Sequence, residues 1–294
     1  MANILIVGDG AIGMLYSYFL GQHHPITLLS KKQDPTKRCY QAADQNKHVI
    51  NAHVATLATL NTHQFDWVIF AVKAFQVLPA LTQTARYLSP HCKIILSHNG
   101  MGNVEQVAKQ LSAQQSLFFL TTRLAGYKVS AQCVQHTGFG ESVVGACNLL
   151  AEQTLPATYS VLSGLPDCRS TNDIAKLRWQ KLLVNVAINP LSAVYNVKNG
   201  QLRAPSFSLA IMELLNEACQ VANAQGVQIH LKDALFNAYK VMTDTQYNYS
   251  SMQQDYSQHR PTEIASICGY ISEQGKLLNI DTPHNSSLYT LINK

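Results

Sequence analysis

The sequence predicts an α/β fold: a doubly wound parallel sheet in the N-terminal domain, followed by an all-helical C-terminal domain. Three observations support this prediction. Short apolar runs alternate with helical segments through the first half of the chain, a glycine-rich turn directly follows the first apolar run, and strand patterns nearly vanish after about residue 172. We place the two domains at residues 1–171 and 172–294, which are ordinary domain lengths.

The first half reads as alternating strands and helices. Short apolar runs of this kind are typical of strands that are buried on both faces of a parallel sheet. Strands are predicted at 3–7, 26–29, 66–72, 93–97 and 116–121, with one or two more within 48–60. Helices are predicted at 11–21, 75–88 and 104–111.

The pattern changes after residue 122. Antiparallel strands are predicted within 123–145, with turns at Gly126 and around 138–140, and a helix over 149–162 closes the first domain before a turn at Pro166 and Asp167. The second domain is predicted to be helical at 174–197, 206–225, 232–242 and 262–278.

Composition excludes several classes of protein. The 294 residues are 47% hydrophobic and 13% charged, as in a folded globular protein. The net charge of +5 (22 − 17) comes mostly from scattered basic residues, so no nucleic-acid partner is expected. Seven cysteines without a C-x-x-C pair indicate neither a disulfide framework nor a metal site. With no signal peptide and no membrane span, we predict a cytoplasmic protein without a membrane partner.

A glycine-rich phosphate loop follows the first strand. It has the form G-x-G-x-x-G and consists of Gly8, Asp9, Gly10, Ala11, Ile12 and Gly13. The three glycines allow a tight turn, a close approach of backbone to pyrophosphate, and close packing of helix on strand. The pyrophosphate then meets unpaired N–H groups of the helix. The loop predicts a Rossmann-type dinucleotide site, in which the acidic Asp9 should point away from the phosphates.

The end of the second strand favours NADP(H) over NAD(H). An NAD site usually has an acid there for the ribose 2′-hydroxyl, whereas this strand ends in Ser30 and Lys31. A hydroxyl and an ammonium group suit a 2′-phosphate, with Lys32 or Arg38 assisting. The alternative is a solvated basic turn. Lys73 follows the strand at 66–72 and either contacts the cofactor or is a surface lysine at a strand end.

A polar stripe lies on an otherwise apolar helix of the second domain. Lys181, Asn185 and Asn189 are four residues apart and share one helix face. Either these side chains satisfy one another and the backbone, or they line a polar pocket for a ligand with carbonyl and carboxylate oxygens. Pro190 should kink the helix after Asn189.

Two later segments complete the set of candidate positions. The run from Asn196 to Gly200 has the chemistry of a helix stop. Further on, Thr262 or Ser257 could cap a helix, and Glu263 in its first turn would then be a favourable dipole charge.

Taken together, these motifs resemble those of a known family, that of ketopantoate reductase (2-dehydropantoate 2-reductase). The resemblance covers nearly the whole chain. It depends on the glycine loop, Ala71–Gln76, His98–Gly102, the Lys181/Asn185/Asn189-Pro190 helix, Asn199-Gly200, Ser250–Asp255 and Thr262–Ile264. It implies NADPH-dependent reduction of ketopantoate to pantoate in pantothenate and coenzyme A biosynthesis. It also implies a C-terminal domain like that of 6-phosphogluconate dehydrogenase.

The resemblance also implies roles for individual residues. Lys181 would be the general acid and Glu263 would anchor the substrate hydroxyl. Asn99, Asn185, Asn189, Asn199 and Ser251 match positions that bind substrate. The glycine loop, Lys31, Lys73, Gln76 and Asn99 match positions that contact the cofactor, and Ser30 lies beside them. The chain departs from the family at Asp9, where a small or apolar residue is usual, and its second strand ends one residue early.

Three functions remain open from sequence alone. The first is ketopantoate reduction, and the second is NADPH-dependent reduction of another 2-keto acid on the same fold. The third is a non-catalytic NADPH-binding sensor, which would need neither a proton donor at Lys181 nor a hydroxyl anchor at Glu263. A small-molecule 2-keto acid is the expected partner, and a monomer or homodimer the expected assembly.

Overall fold

The computed structural model describes residues 1–31, 36–60 and 65–293, and these form two compact units. Unit 1 comprises Met1–His98 and Asn103–Ile174, and unit 2 comprises Asn99–Gly102 and Ala175–Lys294. The loop of unit 2 is fixed within that unit because the backbone N–H of Met101 donates to the carbonyl of Ser266 at 2.8 Å. A single boundary between residues 171 and 172 therefore assigns this loop to the first domain rather than to unit 2.

Unit 1 alternates strands and helices over most of its length. In chain order its elements are β1 (Ile4–Val7), α1 (Ala11–Leu20), β2 (Ile26–Leu29), β3 (Cys39–Gln41), β4 (Lys47–Val49), β5 (His53–Ala55), β6 (Phe65–Phe70), α2 (Val77–Thr84), β7 (Leu88–Leu96), α3 (Asn103–Ala108), β8 (Ser116–Thr122), β9 (Ala125–Lys128), β10 (Cys133–Gly138), β11 (Ser142–Ala146), α4 (Leu149–Leu162) and β12 (Cys168–Thr171).

The main sheet has eight strands in the order β12-β11-β8-β7-β6-β1-β2-β5. The six strands from β8 to β5 are parallel, β11 pairs antiparallel with β8, and β12 pairs parallel with β11. The chain leaves β1 toward β2 and later returns to β6 on the other side of β1. Ligands of doubly wound sheets bind at the carboxyl ends of strands where the order reverses in this way.

Helices cover both faces of this sheet, as the runs of apolar residues predict. On one face, Met14 and Leu15 of α1 pack in the same buried cluster as Leu155 of α4. On the other face, Val77 of α2 and Val107 of α3 pack against a second buried cluster. The central strands are therefore buried on both sides. The predicted α/β class with a doubly wound sheet is confirmed.

A second sheet of four strands, in the order β4-β3-β10-β9, lies in the same unit. The turn predicted at Gly126 is wrong, because Gly126 lies within β9. A Cβ at this position would come within 2.7 Å of the Gln135 carbonyl oxygen on β10, so the glycine serves close packing of two strands. Strand β12 was not predicted, because its residues are half-buried or exposed and form no apolar run.

Unit 2 is helical throughout its described residues. Its elements are α5 (Ile174–Tyr195, whose first residue belongs to unit 1), a 3-10 turn (Asn199–Arg203), α6 (Pro205–Ala224), α7 (Leu231–Asp244), α8 (Ser251–Ser257), a 3-10 turn (Ile264–Ser266), α9 (Cys268–Leu278) and α10 (Pro283–Ile292). The all-helical prediction for the second domain is confirmed. No helix in the described part of the chain is long and apolar enough to cross a membrane.

The structure corrects two details of the second domain. The helix predicted from residue 262 begins only at Cys268, and the preceding segment is a 3-10 turn. Helices α8 and α10 were not predicted, because both are short and rich in polar residues. The helix predicted at 174–197 is confirmed as α5, which continues through Pro190 to Tyr195. The proline removes one backbone donor within this helix.

Candidate active site

The glycine turn between β1 and α1 is shaped by close packing at two of its three glycines. Gly8 has φ +108°, and a Cβ there would lie 2.7 Å from the carbonyl oxygen of Ala71. A Cβ at Gly13 would collide with the carbonyl oxygen of Gly8. At Gly10, by contrast, no described atom beyond the glycine and its two chain neighbours lies within 4 Å of where a Cβ would be. The second glycine therefore presents an open backbone face, as close approach of a phosphate requires.

A cavity of about 950 Å³ lies at this turn, beside the carboxyl ends of β1, β2, β5 and β6. Seven of the predicted cofactor residues line it together: Gly8, Asp9, Gly10, Ser30, Lys31, Lys73 and Gln76. Its volume is at the upper end of the range for ligand pockets. The predicted residues Ala11, Ile12 and Gly13 form the first turn of α1, and within the described residues no side chain caps that helix. A helix start of this kind suits an anionic group.

Three apolar residues in the wall of this cavity were not predicted. Leu57 follows β5, and Phe75 and Pro79 lie beyond β6. Aromatic and aliphatic groups of this kind suit the flat face of a nucleotide base. The position of Leu57 just after the carboxyl end of β5 is a signal that could have identified it, whereas Phe75 and Pro79 lie further past the end of β6. The cavity thus offers glycine backbone for phosphates, cations for charge and an apolar wall for a base, which fits a dinucleotide.

Asp9 does not turn away from the cavity as expected. Its carboxylate oxygen Oδ2 accepts a hydrogen bond from Ser30 Oγ at 2.8 Å. The same oxygen lies 3.7 Å from Nη2 of the buried Arg38 and 4.0 Å from Nζ of Lys128. Lys128 also donates to the backbone oxygen of Asp9 at 3.0 Å. The charge of Asp9 is therefore balanced by cations from β9 and from the segment before β3, of which Lys128 was not predicted.

The candidate phosphate residues are only partly described. Ser30 is buried at the end of β2, and Lys31 is exposed beside it. Lys32 lies outside the described residues. Gln76 Oε1 accepts from the backbone N–H of Lys73 at 3.3 Å, which fixes the turn after β6 at the cavity wall.

The polar stripe of α5 is present in unit 2. Lys181 and Asn185 are half-buried, and Asn189 is buried. The Asn185 Nδ2 atom is buried and has no hydrogen-bond partner among the described residues. A buried amide donor without a partner is costly unless a ligand completes it. The unpaired Asn185 amide therefore supports the interpretation of the stripe as the lining of a ligand pocket, rather than as side chains that satisfy one another.

Glu263 is buried, with 6% of its surface exposed, and Asn99 Nδ2 donates to its Oε2 at 3.1 Å. Both residues belong to unit 2. Glu263 precedes a 3-10 turn and lies five residues before α9, so its interpretation as a charge in the first turn of an α-helix is wrong. Thr262 does not cap an α-helix either, although its Oγ1 accepts from the N–H of Ile264.

Asn199 is also buried and only partly satisfied. Its Nδ2 donates to Thr245 Oγ1 at 2.9 Å, while its Oδ1 has no hydrogen-bond partner among the described residues. Unit 2 therefore contains a buried amide donor at Asn185 and a buried amide acceptor at Asn199 that are both unpaired. Within the described residues, each of these two groups lacks the hydrogen bond that a buried amide group requires.

The two serines at the start of α8, Ser250 and Ser251, lie in different environments. Ser251 is exposed, whereas Ser250 is the buried N-cap and accepts from Gln253 N–H at 3.0 Å. Ser250 also lies 2.7 Å from Ser192 Oγ, and Ser192 donates to the Asn189 carbonyl at 3.1 Å. This chain holds the start of α8 beside the Asn189 end of α5. A serine followed three residues later by glutamine is a known helix-start pattern that could have indicated Ser250.

The candidate residues of unit 2 provide amides, a buried carboxylate and one lysine. Within the described ranges, no cluster of three or more His, Cys, Asp or Glu residues could hold a metal ion. A protonated lysine can stabilise a developing oxyanion and transfer a proton to it.

Comparison with known proteins assigns the whole chain to one group. The model for "Ketopantoate reductase PanE/ApbA" matches residues 4–148, and that for its C-terminal domain matches residues 173–294. The 2-dehydropantoate 2-reductase of Vibrio cholerae is 34% identical over 291 residues, covering 99% of this chain and 96% of that protein. The enzyme of the same name from Yersinia pestis is 30% identical over 293 residues, covering 99% and 94%.

Solved structures share the fold over their full length. A probable 2-dehydropantoate 2-reductase from Bacillus subtilis has a TM-score of 0.85 at 25% identity, with 99% of each chain covered. A D-mandelate dehydrogenase with NADH and anilino(oxo)acetate has a TM-score of 0.92 at 20% identity, covering 99% of this chain and 97% of that one. The second likeness shows the fold alone. The matched family models and the full-length relatives together establish that this chain belongs to the ketopantoate reductase family.

Proposed function

We propose that this protein reduces ketopantoate to pantoate with NADPH, a step toward pantothenate and coenzyme A. The observation that carries this assignment is the buried carboxylate of Glu263, held by Asn99 in the same unit as the Lys181 stripe. A buried carboxylate is an acceptor for a substrate hydroxyl, which ketopantoate has and simple 2-keto acids lack. The full-length relatives named 2-dehydropantoate 2-reductase support the same reaction.

The cavity of unit 1 is the proposed cofactor site. Its glycine turn would hold the pyrophosphate, Ser30 and Lys31 the 2′-phosphate, and Lys73 and Gln76 further parts of the cofactor. When bound, NADPH supplies the hydride.

Lys181 is the proposed general acid. Reduction of a keto group builds negative charge on its oxygen, and a protonated lysine stabilises that charge and neutralises it by donating a proton. The half-buried position of Lys181 on a regular stretch of helix restricts its motion, which favours transfer in one geometry.

The remaining polar residues are proposed to bind substrate. Asn185, Asn189 and Asn199 provide amides, of which the unpaired donor at Asn185 and the unpaired acceptor at Asn199 are ready for a ligand. Ser251 adds a hydroxyl at the start of α8. Asn99 donates to Glu263, and the carboxylate of Glu263 is proposed to accept a hydrogen bond from the substrate hydroxyl.

A matched set of keto acids tests the assignment. Trimethylpyruvate has the carbon skeleton of ketopantoate without its hydroxyl, and phenylglyoxylate is the keto acid that corresponds to mandelate. We expect kcat/KM for ketopantoate, followed by loss of reduced-nicotinamide absorbance, to exceed that for trimethylpyruvate by at least about 10²-fold, because the analogue lacks the hydroxyl that is proposed to donate to Glu263. In Glu263→Ala this ratio should fall toward unity.

The other outcomes of this experiment identify the alternatives. Equal rates with all three acids would indicate a reductase of broad 2-keto acid specificity. Binding of NADPH with no turnover of any keto acid would indicate a cofactor sensor. The proposed partner is a small-molecule 2-keto acid, and we propose a monomer or homodimer as the assembly.

A further inference from the structure

Asp9 places a negative charge in the part of the cavity where the 2′-phosphate is proposed to bind. Asp9, Ser30 and Lys31 line the same cavity. The Asp9 carboxylate accepts from Ser30 Oγ at 2.8 Å and lies 3.7 Å from the Arg38 guanidinium. The hydroxyl expected to serve a phosphate thus already donates to a carboxylate of this chain, and the nearby guanidinium is already ion-paired.

A carboxylate in this position affects the binding of NADPH differently from the binding of NADH. A 2′-phosphate held by Ser30 and Lys31 would be a near neighbour of the Asp9 carboxylate, and like charges at such separations repel. A ribose 2′-hydroxyl would instead donate a hydrogen bond to a carboxylate. NAD sites use an acid at the end of the second strand for this purpose, and β2 of this chain ends without one.

The neighbouring cations reduce this effect without removing it. Arg38 has only 2% of its side chain exposed, and Lys128 approaches the same carboxylate oxygen at 4.0 Å. The Asp9 carboxylate itself remains 28% exposed. Its charge is therefore accessible to a ligand in the cavity, while its partners hold the carboxylate in place.

We propose that Asp9 is a specificity-determining residue that weakens binding of the 2′-phosphate and so narrows the preference for NADPH over NADH. This inference rests on the proposed function only in assigning the cavity to the cofactor. It predicts that NADH binds this protein with measurable affinity.

Binding of nucleotide fragments tests the inference without any turnover. Adenosine 2′,5′-bisphosphate and AMP differ only in the 2′-phosphate, and calorimetry gives the Kd of each, with NADPH and NADH measured alongside. We expect Asp9→Asn and Asp9→Ala to bind the bisphosphate about tenfold more tightly than the wild type. Binding of AMP should be unchanged or weaker.

A matched control separates this effect from a general change in charge. Asp66 is exposed at the amino end of β6, at the other end of that strand from the cavity. Asp66→Asn removes the same charge and should leave both Kd values unchanged. Because Asp9→Asn keeps the size and shape of the side chain, it reports on charge even if Asp9→Ala disturbs the turn.

Three results would overturn the inference. Weaker bisphosphate binding in both Asp9 variants would show that Asp9 positions Ser30 and Arg38 for the phosphate. An unchanged ratio of the two Kd values would show that its charge is not sensed. Failure of the wild type to bind any of the four nucleotides would remove the cofactor assignment. Failure of the proposed reaction alone would appear as tight nucleotide binding without keto acid turnover, and would leave the Asp9 inference standing.

Discussion

Asp9 carries the negative charge in a turn that otherwise consists of glycine, alanine and isoleucine. The sequence predicts the phosphate loop around it, because the glycine spacing and the preceding apolar strand are local features. It does not predict the partners of Asp9, since Ser30, Arg38 and Lys128 lie 21, 29 and 119 positions further along the chain. Contacts of this range are set by the sheet topology, which local patterns do not specify.

His136 is a buried histidine that the sequence did not single out. Its Nε2 donates to the Gly138 carbonyl at 2.9 Å, so its Nδ1 is the ring atom that accepts from Tyr40 OH, also at 2.9 Å. Burial lowers the pKa of His136 below its ordinary value. The folded protein therefore holds this ring neutral at pH values where the unfolded chain protonates it.

This difference predicts a loss of stability in mild acid. As pH falls below about 6.5, His136 takes up a proton in the unfolded state but stays neutral in the folded state. The free energy of unfolding therefore decreases. Burial lowers the pKa of His24 as well, and that residue contributes in the same direction. Urea unfolding at a series of pH values should show a shallower pH slope in His136→Gln than in the wild type.

The control for this experiment is His91→Gln, which changes an exposed histidine in the same unit. It should keep the wild-type slope. The comparison uses slopes, because loss of the hydrogen bonds to Tyr40 and Gly138 lowers the stability of His136→Gln at every pH. Equal slopes in His136→Gln and the wild type would contradict the assignment of a neutral buried ring.

Helices and strands with strong apolar patterns were predicted well, and polar elements were not. The buried strands β1, β2 and β6 and the long helix α5 show the patterns that burial on both faces or along a stripe requires. Strand β12 bears mostly exposed or half-buried residues, and it forms because β11 offers an edge with which to pair. Such an element depends on its neighbours and leaves little signal in its own residues.

In the turn between β1 and α1, substitution of one glycine should weaken cofactor binding while leaving the stability of the fold nearly unchanged. Gly10 has φ −69° and open space around it, so Gly10→Ala should fold with a stability within about 0.5 kcal/mol of the wild type. Its methyl group would, however, occupy the face that a phosphate needs, so the Kd for NADPH should rise at least about tenfold.

Gly13→Ala, in contrast to Gly10→Ala, should lower the stability of the fold. Its Cβ would collide with the backbone oxygen of Gly8, and neither backbone can move freely, so we expect a stability loss of about 1–3 kcal/mol. Thermal unfolding and calorimetry on both variants distinguish the two roles. Wild-type NADPH affinity in Gly10→Ala would contradict the placement of phosphate at this turn.

Across the whole chain, the order of the sequence patterns indicates which features lie in each unit, but it did not predict that one loop of the first half belongs to unit 2. The dinucleotide loop and the parallel sheet lie in unit 1, and the polar stripe of α5 lies in unit 2, as the order of patterns along the chain indicates. The loop Asn99–Gly102 nevertheless belongs to unit 2, where Asn99 donates to Glu263 over 164 positions. The resemblance identified both residues, but their contact required the fold.

Lys181 is proposed to supply the proton when ketopantoate is reduced. The most direct test of this role is the single-turnover rate of NADPH oxidation on mixing enzyme, NADPH and ketopantoate, compared among the wild type, Lys181→Ala, Lys181→Arg and Lys176→Ala. Lys176 is an exposed lysine on the same helix and serves as the control. Lys181→Arg keeps the positive charge without a readily transferable proton.

We predict that Lys181→Ala lowers this rate by about 10²- to 10⁴-fold, that Lys181→Arg restores little of it, and that Lys176→Ala reacts as the wild type does. The Kd for NADPH should be the same in all four proteins, because the residues proposed to hold the cofactor line a cavity within unit 1. A Lys181→Ala variant that turns over ketopantoate at the wild-type rate would show that another group donates the proton.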